Sequence, residues 1–355
     1  MKAKASSDAK ASSDEVLRRR LHNQRLTTTS FRQAGEVVSW LGAVQAQDYP
    51  GARWALGLRA RGLDSAAIDA ALARGEILRT HILRPTWHFV APGDIRWIQM
   101  LTAARVQRTM AGYAPKVGLN PRIFARACEV LQRALEGREL TRAEISTALA
   151  ARRIAATGVP LAHILLNAEL EQVITSGGLR GNQFTYALLD ARAPKSAVVD
   201  RDDALARLTK RYFASHGPAT TRDMSWWSGL PQREITRGLE ILGRDVERTE
   251  QDGLPYWSVR DRSTPKPGAG VWLLPNYDEF LIAYRDRQLS APAFALKPRD
   301  IYAHFLVVDG VLAGVWRRSG TGTGARVTTT PYRRLSSLER RGLDGAVERF
   351  ERFHR

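Results

Sequence analysis

The chain contains one cysteine, Cys128, among 355 residues. An internal disulfide and a cysteine-based zinc site are therefore both excluded. The seven histidines include no i, i+4 pair. His81 and His88 are the close couple, without metal-ligand spacing, so no metal and no cofactor is expected. No apolar run approaches the roughly 18 residues of a membrane span, and no signal peptide opens the chain. A soluble, cytoplasmic protein with no membrane partner is expected. Lysine is scarce beside arginine, and between Lys10 and Lys116 there is none. The expected state is a monomer, and no dimerisation heptad is visible.

What is present is positive charge. Lys and Arg total 54 against 36 Asp and Glu, a net +18. Arginine forks suit phosphates and guanine edges. A high-GC genome explains arginine over lysine, but not the surplus, which favours a polyanion such as nucleic acid. Between residues 51 and 120 there are ten cationic against four acidic residues.

In the order of the chain, residues 1–14 repeat Lys-Ala-Ser-Ser-Asp and read as a disordered tail. Phe31, Ala34, Val37, Val38, Leu41 and Val44 recur at helical spacing. Gln45 extends that stripe, and Pro50-Gly51 stops it. If the chain turns extended here, Gln45 and Gln47 face the same way, and two amides can hold a water or a base edge. The alternative is a polar helix terminus without chemistry. Arg84, Thr86 and His88 alternate with Trp87 and Phe89 after Leu83. They form either a ribbon presenting cations to DNA or an edge strand with a solvated polar face.

A helix, helix-turn-helix and hairpin plan then appears twice. The first copy has Asn120-Pro121 opening one helix, a capping box at Thr141 a second, and Pro160 a third ending at Gly177-Gly178. A hairpin over 179–189 follows. The second copy has caps at Asp200 and Thr220, a third helix from Pro231, and a hairpin over 245–259. Residues 30–90 are a looser version. This is the winged-helix plan. The expected class is α+β, with three tandem winged-helix units at 15–115, 116–195 and 196–262. A β-rich C-terminal region over 263–355 is expected to carry an Asp309-Gly310 hairpin turn and a closing helix. Asp278-Glu279 could supply a general base, cap the next helix, or pair with Arg285 and Arg287. Trp226-Trp227 reads as core packing.

Three stretches carry a resemblance: Gln45-Ala-Gln-Asp-Tyr-Pro50, Leu83-Arg-Pro-Thr-Trp-His-Phe-Val90 and Leu273-Leu-Pro-Asn-Tyr-Asp-Glu279 with the residues after it. They resemble a winged-helix DNA glycosylase family whose members include azinomycin-resistance and crosslink-unhooking enzymes. The resemblance covers about residues 15–320 and implies three winged helices around a concave DNA-binding surface. Gln45 and Gln47 match its catalytic Gln-aliphatic-Gln positions, with Ala46 between them. The implied partner is double-stranded DNA bearing N7-alkylated bases, and in some members crosslinks, so a nucleoid-associated location is expected. The expected reaction is monofunctional, with water placed by the two amides attacking C1′. Arg53, Arg79, Arg84, Thr86 and His88 are the candidate DNA contacts, and Asp48 and Asp278 the candidate pocket residues. A non-enzymatic winged-helix regulator is the alternative. An RNA-binding module would need an aromatic platform, which is not apparent.

Overall fold

The computed structural model describes residues 2–195, 199–251, 253–260, 270–291, 303–320 and 326–355, with side chains from residue 13 onward. Helix α1 covers Lys2–Asn23. The segment read as a disordered tail is therefore the start of a helix. Val16, Leu17 and Leu21 are buried and hold the later turns in place.

The next 57 positions, 34–90, form the first unit: α2 (Ala34–Leu41), β1 (Val44–Gln45), α3 (Tyr49–Gly57), α4 (Ser65–Arg74), β2 (Leu78–Ile82) and β3 (Arg84–Val90). Helix α2 buries Ala34, Val37, Val38 and Leu41 but stops before Val44. Gly42 adopts φ +85°, a conformation side chains disfavour, and a Cβ there would lie 3.1 Å from the Arg211 side chain. The helical stripe therefore ends one turn early and Gln45 enters a strand. Helix α5 (Ile95–Met110) leads to the second unit: α6 (Pro121–Ala134), β4 (Leu140–Thr141), α7 (Arg142–Ala150), α8 (Gly158–Leu170), β5 (Ile174–Arg180) and β6 (Gln183–Leu188). Asn120 caps α6, and a Thr141–Glu144 capping box opens α7.

After the short α9 (Leu189–Arg192), the third unit runs through α10 (Arg201–Ser215), α11 (Thr221–Ser228), α12 (Gln232–Leu242), β7 (Val246–Gln251) and β8 (Leu254–Val259). A Thr220–Asp223 capping box opens α11. The sheets repeat one topology. Their orders are β1-β3-β2 and β4-β6-β5, and in the third unit β7-β8 with an Ala219–Trp257 bridge in place of the first short strand. The C-terminal region adds β9 (Val271–Leu274), α13 (Glu279–Ile282), β10 (His304–Val308), β11 (Val311–Ser319), β12 (Arg326–Pro331) and α14 (Ser337–Phe353), with sheet order β12-β11-β10-β9. Among the described residues no helix is long and apolar enough to cross a membrane.

Cores do not follow the chain order. Leu17, Val37, Leu41 and Trp54 share one core with Leu273, Phe305, Trp316, Phe350 and Phe353, so the first unit and the C-terminal sheet pack as one body. Trp54 donates from Nε1 to the Leu273 carbonyl at 2.6 Å and meets Phe350 edge-on at 5.1 Å. The other face of the first unit, with Ile82, Leu83 and Val90, shares a core with α5 and the third unit. The second unit has a core of its own.

The Gly177-Gly178 pair does not end a helix. It lies inside β5, at a register shift between Ser176 and Leu179. A Cβ on Gly177 would sit 2.4 Å from both Glu139 Oε2 and Thr185 Oγ1. Those two atoms bond each other at 2.6 Å, and Glu139 Oε2 also accepts the Gly178 N–H at 2.9 Å. Glycine is there for close approach. We expect Gly177→Ala to lower unfolding stability by about 1–3 kcal/mol, the usual result of overpacking. Urea denaturation followed by circular dichroism reads this directly.

Candidate active site

The site grows from the β1–β3 pairing. Val44 faces Phe89 and Gln45 faces His88 across antiparallel strands. The Gln45 N–H points away from β3 and donates to Glu279 Oε1 at 2.8 Å. The neighbouring Ala46 N–H donates to the Trp87 carbonyl at 2.7 Å. Gln45 and His88 therefore form a pair of the non-hydrogen-bonded type, in which opposed side chains lie closest, with Cα atoms about 4.5 Å apart.

The Gln45 side chain is buried. Its Nε2 reaches Thr86 Oγ1 at 3.4 Å, and its Oε1 has no protein partner. Gln47 is exposed, and its Oε1 accepts the Trp87 N–H at 3.3 Å. That N–H would ordinarily bond the Ala46 carbonyl, but Arg79 Nε donates to this carbonyl at 3.0 Å. Both amides thus reach the Thr86–Trp87 segment, with different duties. Gln47 spends its oxygen closing the strand end, while Gln45 holds an unsatisfied buried acceptor. A buried orphan of this kind costs about 1–3 kcal/mol, so it calls for an explanation.

His88 is fully buried on the same face. Its Nδ1 lies 2.9 Å from the Thr86 carbonyl and its Nε2 has no partner. Burial first, and the Arg84 charge second, push its pKa down to about 3, so the ring is neutral. Arg84 is half-buried, with Nε and Nη2 unpartnered and its guanidinium 5.9 Å from the Trp226 ring centre. Burial lowers its pKa too. Glu279 closes the site from behind. It is fully buried, accepts Trp227 Nε1–H on Oε2 at 3.0 Å, and lies 3.7 Å from His216 Nε2. Burial opposes its charge, but the His216 ring and the Gln45 N–H favour it more, so its pKa falls below the usual carboxylate value. One carboxylate therefore fixes β1 of the first unit to α11 of the third.

Several expected site residues are engaged elsewhere. Arg79 is buried between the Trp87 and Phe184 rings, 4.4 Å from each centre, and burial lowers its pKa to about 10. It is a brace for Ala46, out of reach of DNA. Arg53 is ion-paired to Asp69 at 2.6 Å, and Tyr49 shares that carboxylate. His88 is beneath the surface and so is no groove contact. The alternation expected along β3 fails because this strand is central in its sheet, and its second half, His88 to Val90, is buried at consecutive positions. Asp278 is no pocket residue. It is fully buried in a two-point ion pair with Arg59, at 2.7 and 2.8 Å, and caps α13 through the Phe280 N–H. The partner is neither Arg285 nor Arg287. Asp48 is half-buried and leans over Gly51, and its charge is felt by His304 on the C-terminal sheet.

Glu279 is the residue that sequence reasoning passed over in favour of its neighbour. Adjacent positions at a helix start diverge by about 100°, and only the packing tells which carboxylate faces β1. Among the described residues no group of His, Cys, Asp and Glu is arranged to hold a metal. Neutral acceptors are suited to placing a water, and a buried carboxylate to receiving positive charge.

A family model described as DNA glycosylase AlkZ-like matches residues 38–353. The chain is 24% identical over 326 residues to an interstrand DNA cross-link repair glycosylase of Streptomyces sahachiroi, covering 86% of this chain and 88% of that one. Its fold matches the solved structure of the Streptomyces sahachiroi DNA glycosylase AlkZ with a TM-score of 0.80, at 20% identity over 96% of each chain.

Proposed function

The chain belongs to the AlkZ-like DNA glycosylase family, and from that premise we propose that it excises cationic N7-alkylated purines from double-stranded DNA by water attack at C1′. Interstrand crosslinks joined through such bases are substrates by the same chemistry, a reading supported by the name of the curated relative. Family membership also weighs against the reading as a non-enzymatic regulator.

The observation that carries the reading is Gln45 Oε1, a buried acceptor with no protein partner on the face shared with Thr86 and His88. A water donating to that oxygen is held with a lone pair free. In the reaction the C1′–N9 bond breaks and its electron pair neutralises the purine cation. The water oxygen then bonds C1′ and releases a proton to solvent. Because the lesion is already a good leaving group, positioning supplies what remains of the catalysis. The Glu279 carboxylate, held ionised behind β1, favours the cationic sugar. Gln47, itself exposed, holds the end of β1 through Trp87. The three helix–hairpin units read as tandem winged helices, with half-buried Arg84 and Thr86 retained as the expected duplex contacts. The enzyme acts as a monomer on nucleoid DNA.

A duplex carrying one N7-methylguanine tests this. Native protein should leave an abasic site that breaks only after hot alkali, and borohydride should trap no covalent adduct. Absence of base release overturns the reading, and trapping overturns its hydrolytic course. Gln47→Ala should slow release by about tenfold, the scale of a lost neutral hydrogen bond in a site.

A further inference from the structure

We propose that His88 is a further catalytic residue, its Nε2 being the second acceptor that holds the attacking water beside Gln45. The inference rests on the glycosylase reading above.

A water gives up two hydrogens, and fixing its orientation takes two acceptors. Gln47 is less suited as the second, because it is exposed and one lone pair of its oxygen already accepts the Trp87 N–H at 3.3 Å. The acceptor opposite Gln45 in the strand register is His88. The Thr86 carbonyl, 2.9 Å from His88 Nδ1, can only accept, so Nδ1 carries the ring hydrogen and Nε2 presents a bare lone pair. That lone pair is buried and without a partner, as is Gln45 Oε1. Two orphaned acceptors thus sit on one face of a close cross-strand pair. Each alone is an unfavourable feature, and one water satisfies both. The ring stays neutral because burial and Arg84 resist its protonation, so the acceptor persists at working pH. Thr86 organises the arrangement twice, with its hydroxyl on Gln45 Nε2 and its carbonyl on His88 Nδ1. A water donating to both acceptors keeps a lone pair directed away from them, where an extruded sugar would present C1′.

Two substitutions separate this from a structural duty. In His88→Asn the side-chain amide can still donate to the Thr86 carbonyl, but nothing replaces Nε2. In His88→Gln the amide oxygen reaches the Nε2 position and the bond to Thr86 is lost. With the N7-methylguanine duplex we expect His88→Asn to lower kcat by about 10²-fold, the scale of one lost catalytic hydrogen bond, with KM near native. His88→Gln should recover to within about tenfold of native. Melting temperatures are measured for both. Native-like excision by His88→Asn overturns the proposal, as does an equal loss in both variants or a loss that tracks melting temperature. Gln45→Ala is run alongside. If it too is native-like, the water-holding reading itself has failed. If it is slow while His88→Asn is fast, only the role of His88 falls.

Discussion

Gln45→Ala is expected to slow release of N7-methylguanine by about 10²–10³-fold, equivalent to about 2.7–4 kcal/mol of barrier. The reason is local. The amide oxygen is buried, unpartnered and aimed from a strand whose backbone is fixed by Glu279 at 2.8 Å and by Trp87 at 2.7 Å. The substitution removes the acceptor without disturbing either bond. Stability should change by less than about 1 kcal/mol, because the lost side-chain bond to Thr86 is long, 3.4 Å, and deleting an unsatisfied polar atom offsets the lost packing. Single-turnover release and a thermal melt measure the two quantities. Retained activity in a folded Gln45→Ala protein would remove the central claim about the site. A parallel drop in melting temperature would reassign Gln45 to structure.

The second large effect lies in the fold. Asp278→Ala should destabilise the protein by about 3–5 kcal/mol, because it leaves the Arg59 guanidinium buried without a counter-charge. Arg59 is 1% exposed. Its two terminal nitrogens bond both Asp278 oxygens, the Ala55 carbonyl and Gln24 Oε1, which ties α1, α3 and α13 together. Asp278 also caps α13, the helix that carries Glu279. The variant should therefore lose excision as well, through displacement of the carboxylate behind β1. Urea unfolding gives the first number. The double variant Arg59→Met with Asp278→Leu should lie closer to native than Asp278→Ala, because an apolar pair avoids the uncompensated charge. A loss below about 1 kcal/mol for Asp278→Ala would show that Arg59 finds another partner or water, contrary to the buried geometry.

Much of the architecture is legible in the residues. Capping at Asn120, Thr141, Asp200 and Thr220 marks helix starts within a residue, because a cap is a local exchange between a side chain and the backbone two or three positions on. The Asp309-Gly310 turn is local in the same way, and joins β10 to β11. Errors fall where a local signal has two meanings. Gly42 stops a helix that apolar spacing would continue, and Gly177-Gly178 reads as a helix stop when its purpose is close packing against Glu139 and Thr185.

The sequence by itself determined the polar character of the site and its membership: Gln-Ala-Gln beside a Thr-Trp-His ribbon, a cationic chain, no cysteine pair and no lysine near the motif. Tertiary structure decided where each of those residues sits and what it pairs with. It turned Arg79 inward beneath Ala46, occupied Arg53 with Asp69, and gave Asp278 to Arg59 and Glu279 to Gln45. Those choices depend on contacts between positions up to 234 residues apart. Burial and pairing are properties of the packed chain, so no pattern within one segment can assign them.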